Sequence, residues 1–331
     1  MHESQHLAPW VAQHRQQIGF GLQVFPTETR NDPARALLAA GRLAEELRFD
    51  AFFFGDHPAW GLDCWVHMAA LAATTTRIRL GPNVVCAGYR HPVLTARLAA
   101  DLDNLSGGRL ILGLGAGWDS NEYANLGLPF RSAPERQAML EEAITIMRGV
   151  WGEEPYSFHG RYYQSDNARV APAPMQLPAP PLLIAGGGER TTLRQVAQYA
   201  DACQLGSFGV IGGGTTPSDI QHKLAVLRGH CEAIGRPFET VLRTHFTGWL
   251  ILAEDEARLA AKVQRYFPEG LEQRFSGPWS GFAVLATPAQ AIALYQSLAA
   301  AGIQYFIVET LDAADEETIR LLAEAVVPFV K

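Results

Sequence analysis

Cysteine is scarce and scattered. Cys64, Cys86, Cys203 and Cys231 are the four present, and their spacing is unpaired. Two lie in apolar runs, so buried free thiols are expected, not a disulfide framework or a zinc site. HxH, HExxH and CxxC are absent, and no metal site is expected. GxSxG is absent and no serine has a defined base, which leaves acyl transfer unsupported. GxGxxG does not follow the first strand, which argues against a Rossmann dinucleotide fold. No apolar run reaches the ~18 residues that a membrane span needs. Met1 to Gln17 is polar and interrupted by Pro9 and Trp10, unlike a signal peptide. Positive charge is not in excess either: the net charge is -7, against non-specific binding to nucleic acid or anionic membrane. A reducing, cytoplasmic setting is the resulting expectation.

What the chain does have is apolar content. Apolar residues make up 48% of its 331 residues and charged residues 18%, enough for a large buried core. The apolar residues fall into short continuous runs that alternate with helical patterns. The runs are Ile18 to Phe25, Asp50 to Gly55, Ile78 to Val85, Arg109 to Gly115, Leu182 to Ile184, Ala202 to Leu205, Val241 to Leu252 and Ile303 to Glu309. Such runs suit parallel strands buried on both faces. Helix starts stand between them: Asp32 before Pro33, Ser132 with Glu135, Thr216 before Pro217, and Thr287 with Gln290. Eight strand–helix units predict an α/β (β/α)8 TIM barrel, for which about 250 residues is typical. The surplus goes to a tail at 1–17 and to insertions after strands 4 and 7, within one domain at 18–331. A doubly wound open sheet is the alternative.

The most informative stretch is Pro181 to Ser207. A strand runs into Gly186, Gly187 and Gly188, and a helix carrying Leu193, Val196, Ala197 and Ala200 follows. Glycine leaves backbone N–H groups uncovered, and the first N–H groups of a helix lack partners within it. Together they form an anion site, and Arg190 and Arg194 stand close enough in sequence to add charge. The alternative is a tight turn without a ligand. In a barrel the active site lies at the carboxyl ends of the strands. Those ends carry Asp56 and His57, Asn83 to Cys86, Ala116 to Trp118, Gly186 to Arg190, Leu205 to Ser207, and Glu309. His57 suits general acid or base work near neutral pH, although a histidine before proline also serves as a loop hydrogen-bonder. Trp118 and Tyr123 either line a pocket or pack.

Three pieces of the sequence together resemble the bacterial-luciferase-like family of barrel oxidoreductases. They are FDAFFFGDHP, the run RIRLGPNVVCAGYRHPVLTARLAADLDNLSGGRLILGLGAGW, and IAGGGERTTLRQVAQYADACQL. The likeness runs from Ile18 to about Phe329. Within the family the deazaflavin-dependent branch is the nearest match, through Gly127 to Phe130, ERQAMLEEA, Gly160 to Tyr163 and LAVLRGHCEAIGRP. The resemblance implies a flavin or deazaflavin ring across the strand ends, with its phosphate on Gly187, Gly188 and Glu189 beside Gly186 and Arg190. It implies a non-proline cis peptide at Asn83-Val84 beneath the ring. Ala116, Gly117, Asn121, Leu205 and Gly206 are implied as further cofactor contacts. His57 matches a proton donor or acceptor of sugar-phosphate members, with Asp56 facing the ring as the second catalytic residue. Trp118 stands where those members carry a glutamate, whereas Asn121 and Glu122 match the positions that follow.

The function this implies is hydride transfer between the 8-hydroxy-5-deazaflavin coenzyme F-420 and a small organic substrate. The alternatives are a monooxygenase using reduced FMN and oxygen, and a flavin-binding barrel without catalysis. A phosphate-binding isomerase or aldolase would want a lysine at a strand end, and none stands there. The expected partner is a small-molecule substrate, with no nucleic acid and no membrane, and with a homodimer as the assembly considered.

Overall fold

The computed structural model describes residues 7–24, 32–59, 61–206, 216–271 and 282–330. Its parallel sheet curls into the expected barrel. The wall is built from β1 (Gly19–Val24), β2 (Ala51–Phe54), β3 (Arg79–Pro82) with its continuation β4 (Val85–Cys86), and β5 (Leu112–Gly115). An antiparallel hairpin of β6 (Tyr156–His159) and β7 (Gln164–Ala168) stands apart from it. The wall resumes with β8 (Leu182–Ala185), β9 (Ala202–Gly206), β10 (Leu242–Leu252) and β12 (Tyr305–Thr310), while β11 (Val284–Ala286) lies beside the end of β10. β1 pairs with both β2 and β12, so first and last strands meet. The ring closes at Leu80, whose N–H donates to Arg109 at 3.1 Å and whose carbonyl accepts from Ile111 at 2.9 Å. β4 then pairs with β5 through Val85 and Leu114.

The predicted helix starts are present. The Asp32 carboxylate accepts from Arg35 N at 3.0 Å to begin α2 (Pro33–Glu46). Capping boxes open α6 (Ala133–Val150), α8 (Pro217–Ala233) and α10 (Pro288–Ala300). The remaining outer helices are α4 (Pro92–Ser106), α7 (Thr192–Tyr199), α9 (Glu256–Tyr266) and α11 (Glu316–Leu321). No apolar stripe in the sequence marks a helix between strands two and three, but α3 (Cys64–Thr74) fills that place. Its sequence, CWVHMAALAAT, is apolar on most faces, so no stripe marks it; its signal is Asp63, whose carboxylate accepts from Val66 N at 3.0 Å.

The insertion after strand four holds α5 (Ser120–Asn125) and, beyond α6, the hairpin. The hairpin is pinned by one carboxylate: Glu142 accepts backbone N–H groups from Arg161, Tyr162 and Tyr163 at 2.9, 3.0 and 3.0 Å. Of the insertion after strand seven, 272–281 lies outside the described residues, as do 207–215 of the glycine-rich loop with Ser207.

The segment expected to be a tail contains α1 (Pro9–His14), and this helix closes the amino-terminal mouth of the barrel. Trp10 and Val11 are fully buried and join Phe53, Ile111, Tyr305 and Ile307 in the barrel's interior core. The Trp10 and His14 rings meet Tyr305 edge-on, at 5.2 and 4.9 Å between centroids. One aromatic and one aliphatic residue in a polar stretch give no periodic signal, so the plug leaves no mark in the sequence pattern. If the plug is integral to the core, Trp10→Ala should lower unfolding free energy by about 3 to 5 kcal/mol in urea titrations. A change below about 1 kcal/mol, the level of a surface substitution, would show α1 to be dispensable.

Candidate active site

The residues after β2 turn to opposite sides. Asp56 is buried, and the Arg90 guanidinium holds it with both nitrogens, at 2.7 and 2.9 Å. Cys86 N adds a third hydrogen bond at 3.2 Å and the Cys64 thiol a fourth at 3.5 Å. Both carboxylate oxygens of Asp56 are therefore occupied by protein donors. His57 is only partly buried, and its Nδ1 lies 2.9 Å from Glu122 Oε2. Glu122 is wholly buried on α5 and also accepts from the Tyr89 hydroxyl at 2.6 Å and from Ala59 N at 3.2 Å. Burial acts to raise its pKa, but the bonds from His57 and Tyr89, the His57 charge and the Ala59 N–H outweigh it. The carboxyl is held below its ordinary value. An ionised Glu122 accepts a hydrogen bond from Nδ1–H, which fixes the imidazole tautomer. The Trp118 ring stands edge-on to His57 at 6.3 Å.

Local sequence explains how α5 delivers Glu122. Gly117 has φ 79°, in the region that favours glycine, and ends the strand with a sharp turn. Asp119 then caps α5 by accepting from Asn121 N at 2.9 Å, with Glu122 N alongside at 3.4 Å. Asn121 itself is exposed at the start of this helix. Tyr123 follows, 3.1 Å from the Cys86 thiol. The four described cysteines are free and buried, as expected.

A second polar group lies at the ends of β1, β3 and β12. Gln23 Nε2 donates to Glu309 Oε1 at 2.7 Å, and Asn83 Nδ2 donates to Gln23 Oε1 at 2.8 Å. The Asn83-Val84 peptide is cis, as the resemblance implies. Burial pushes the Glu309 carboxyl up to about 7, against the lowering effect of Gln23 and Trp249.

The glycine turn is the third feature. Gly186 has φ 123°, which favours glycine, and its N–H is used by the Gln204 carbonyl at 3.0 Å. Among the described residues, the N–H groups of Gly187, Gly188, Glu189 and Arg190 donate to no protein acceptor. Arg190 is exposed and pairs with no carboxylate among those residues. Arg194, expected to add charge here, instead points to α6 and binds Glu141 at 2.7 Å. Its place three residues into α7 carries it around to the outer face. The basic side chains that do gather come from α8, far away in sequence. Lys223 Nζ and His222 Nε2 lie 2.8 and 3.2 Å from the Glu189 carboxylate, and His230 Nε2 lies 2.7 Å from its carbonyl. Leu205 and Gly206 end β9 in the buried wall, while Ala116 is half-buried after β5.

The family model for luciferase-like monooxygenases matches residues 10–317. The chain belongs to this family. An F-420-dependent glucose-6-phosphate dehydrogenase from Microbacterium testaceum is 36% identical over 168 residues, covering 47% of this chain and 48% of that one. An FMNH(2)-dependent dimethylsulfone monooxygenase from Pseudomonas putida is 28% identical over 204 residues, 61% of this chain and 53% of that one. The solved coenzyme F-420-dependent tetrahydromethanopterin reductase of Methanopyrus kandleri superposes with a TM-score of 0.77 at 18% identity, covering 95% and 100% of the two chains. The likeness to that structure shows the luciferase-like barrel. The family thus contains oxidoreductases and monooxygenases named for either cofactor.

The raised Glu309 pKa has a measurable sign. The folded protein binds this proton more tightly than the unfolded chain. The associated stability is complete below the carboxyl's ordinary value of 4.5 and is lost as pH rises through 7. The stability difference between wild type and Glu309→Gln should therefore shift by about 3 kcal/mol between pH 4.5 and 8, against the wild type at the higher pH. A difference that stays flat across this window would refute the buried, proton-retaining carboxyl.

Proposed function

We propose that this chain is an oxidoreductase that moves a hydride between coenzyme F-420 and a small organic substrate bearing an alcohol or carbonyl. The observation that carries the reading is the buried Glu122 carboxylate on His57 Nδ1. An alcohol that gives up a hydride must also give up its O–H proton. His57 Nε2, held in one tautomer by Glu122, is suited to take that proton, and to return it in the reverse direction. Asp56 is then a positioning residue: its bidentate bond with Arg90 anchors the segment that carries His57. When bound, the deazaflavin ring supplies the hydride chemistry.

The cofactor phosphate would take the open N–H groups of Gly187, Gly188, Glu189 and Arg190, with the Arg190 side chain adding charge. Lys223 and His222 from α8 stand beside this turn and suit an anionic tail. Asn83, Val84, Ala116, Gly117, Leu205 and Gly206 would meet the ring from the strand ends, and Asn121 from α5. The relative named for F-420 at 36% identity supports this cofactor. The relative named for reduced FMN supports a second reading, a monooxygenase on the same site.

The test is to titrate F-420 and FMN by fluorescence and then follow turnover with and without air. Micromolar F-420 binding with oxygen-independent turnover is the expected result. FMN binding alone, with product that stops without oxygen, would replace it by the monooxygenase. His57→Ala should lower turnover by about 100-fold while cofactor binding stays near wild type. Full turnover in that variant would make His57 a loop residue. Gly187→Val, which places a side chain over the open N–H groups, should weaken cofactor binding about tenfold, or ~1.4 kcal/mol. Unchanged binding would remove the phosphate from the glycine turn.

A further inference from the structure

Asn83 Oδ1 is shut off from solvent and has no hydrogen-bond partner. The rest of that side chain is tied down. Its backbone N–H donates to Phe54 O at 2.7 Å, and its Nδ2 donates to Gln23 Oε1 at 2.8 Å. Gln23 in turn donates through Nε2 to Glu309 Oε1 at 2.7 Å. Gln23 and Glu309 stand opposite each other in the β1–β12 ladder, and both are buried. The direction of this chain follows from its last member. Glu309 Oε1 accepts from Gln23 Nε2, so the NH2 end of Gln23 is turned toward it. The Gln23 carbonyl must then face Asn83 and draw the NH2 end of Asn83. What remains at the open end is an acceptor, Oδ1.

A buried acceptor left unpaired costs about 1 to 3 kcal/mol. A ligand that brings an N–H to it removes that cost, whereas an ether, a carbonyl or an apolar edge does not. The ring of either family cofactor carries such an N–H on its pyrimidine edge. The relay also adjoins the proton-handling pair. A Cβ placed on Gly55 would lie 3.3 Å from His57 Cδ2 and 4.0 Å from Gln23 Nε2. We propose that Glu309 is a positioning residue: through Gln23 it orients Asn83 so that Asn83 Oδ1 accepts a hydrogen bond from the ring N–H of the bound cofactor. This rests on the reading that a flavin-type cofactor occupies the strand ends. It adds a residue three hydrogen bonds from the ring that sets how the ring is held.

The experiment titrates wild type, Glu309→Gln, Glu309→Met and Gln23→Met with FMN and with F-420, recording affinity and the absorbance of the bound ring. Glu309→Met and Gln23→Met should each weaken binding about tenfold and displace the absorbance maximum of the bound ring. Glu309→Gln keeps an acceptor and should stay within about threefold of wild type with the wild-type spectrum. Should Glu309→Met fail to fold, Gln23→Met breaks the same relay with a side chain of similar shape. A flavin methylated at the ring N–H lacks the donor, so wild type and Gln23→Met should bind it alike. Unchanged affinity and spectrum in Gln23→Met, or a Glu309→Gln as weak as Glu309→Met, would overturn the relay and leave the proposed function standing. A wild type that binds neither ring would overturn both.

Discussion

Glu122 carries a charge into a place without solvent, and the geometry around it follows from that. A buried carboxylate without partners would be destabilising by several kcal/mol. Three donors converge on this one, from His57, Tyr89 and Ala59. The adjacent residue pairs are matched across the site. The segment after β2 supplies Asp56 and His57, and the segment after β4 supplies Tyr89 and Arg90. Arg90 meets Asp56, and Tyr89 meets the carboxylate that His57 meets. Two neighbouring loops are thus locked by two charge-assisted contacts. His57 is oriented by both: through its own bond to Glu122, and through the anchoring of the residue before it.

The barrel interior divides by chemistry along its axis. At the amino-terminal mouth, α1 packs Trp10 and Val11 on Tyr305 and excludes water. His14 and Asp50 face each other there at 3.7 Å; burial lowers the His14 pKa and raises that of Asp50. At the carboxyl ends the interior turns polar, with Gln23, Asn83 and Glu309 in one hydrogen-bonded row. A row of this kind stiffens a site only when every member is satisfied. The one open acceptor in it therefore marks where a ligand has something to gain.

Most of the fold was legible because parallel strands buried on both faces read as short apolar runs, and caps marked the helix starts. Asp32, Ser132 and Thr287 stood where helices begin. The cis peptide was legible only through family resemblance. α1 and α3 were not legible, since neither has an amphipathic stripe: one is under two turns long and the other is apolar on most sides. In the candidate site, His57 was legible as an aspartate–histidine pair at a strand end, but its hydrogen bond goes to Glu122, while Asp56 is held by Arg90. Glu122 lies 65 residues away in sequence, and nothing local to His57 points to it. The basic side chains at the glycine turn behaved likewise. Arg194 was near in sequence and faces away, while Lys223 and His222 were distant and converge.

The order of strands around the barrel constrains how the two ends of the site relate. The open N–H groups follow β8, and His57 follows β2. Between them on the shorter way round lie only β5 and the divided strand β3–β4. A ligand held by an anionic group at the glycine turn and reacting beside His57 must cross the ends of those two strands. Those ends present Ala116 and Gly117 on one and Asn83 and Val84 on the other. Small residues border the crossing: Gly113 and Gly115 on β5 leave room that Val84 fills, since a Cβ on Gly115 would come within 2.7 Å of Val84 Cγ2. The polar relay from Glu309 reaches this same crossing at Asn83, and the Glu122–His57 pair stands at its far end. The glycine turn, the relay and the Glu122–His57 pair thus fall on one arc of the barrel rim, from the end of β8 to the end of β2.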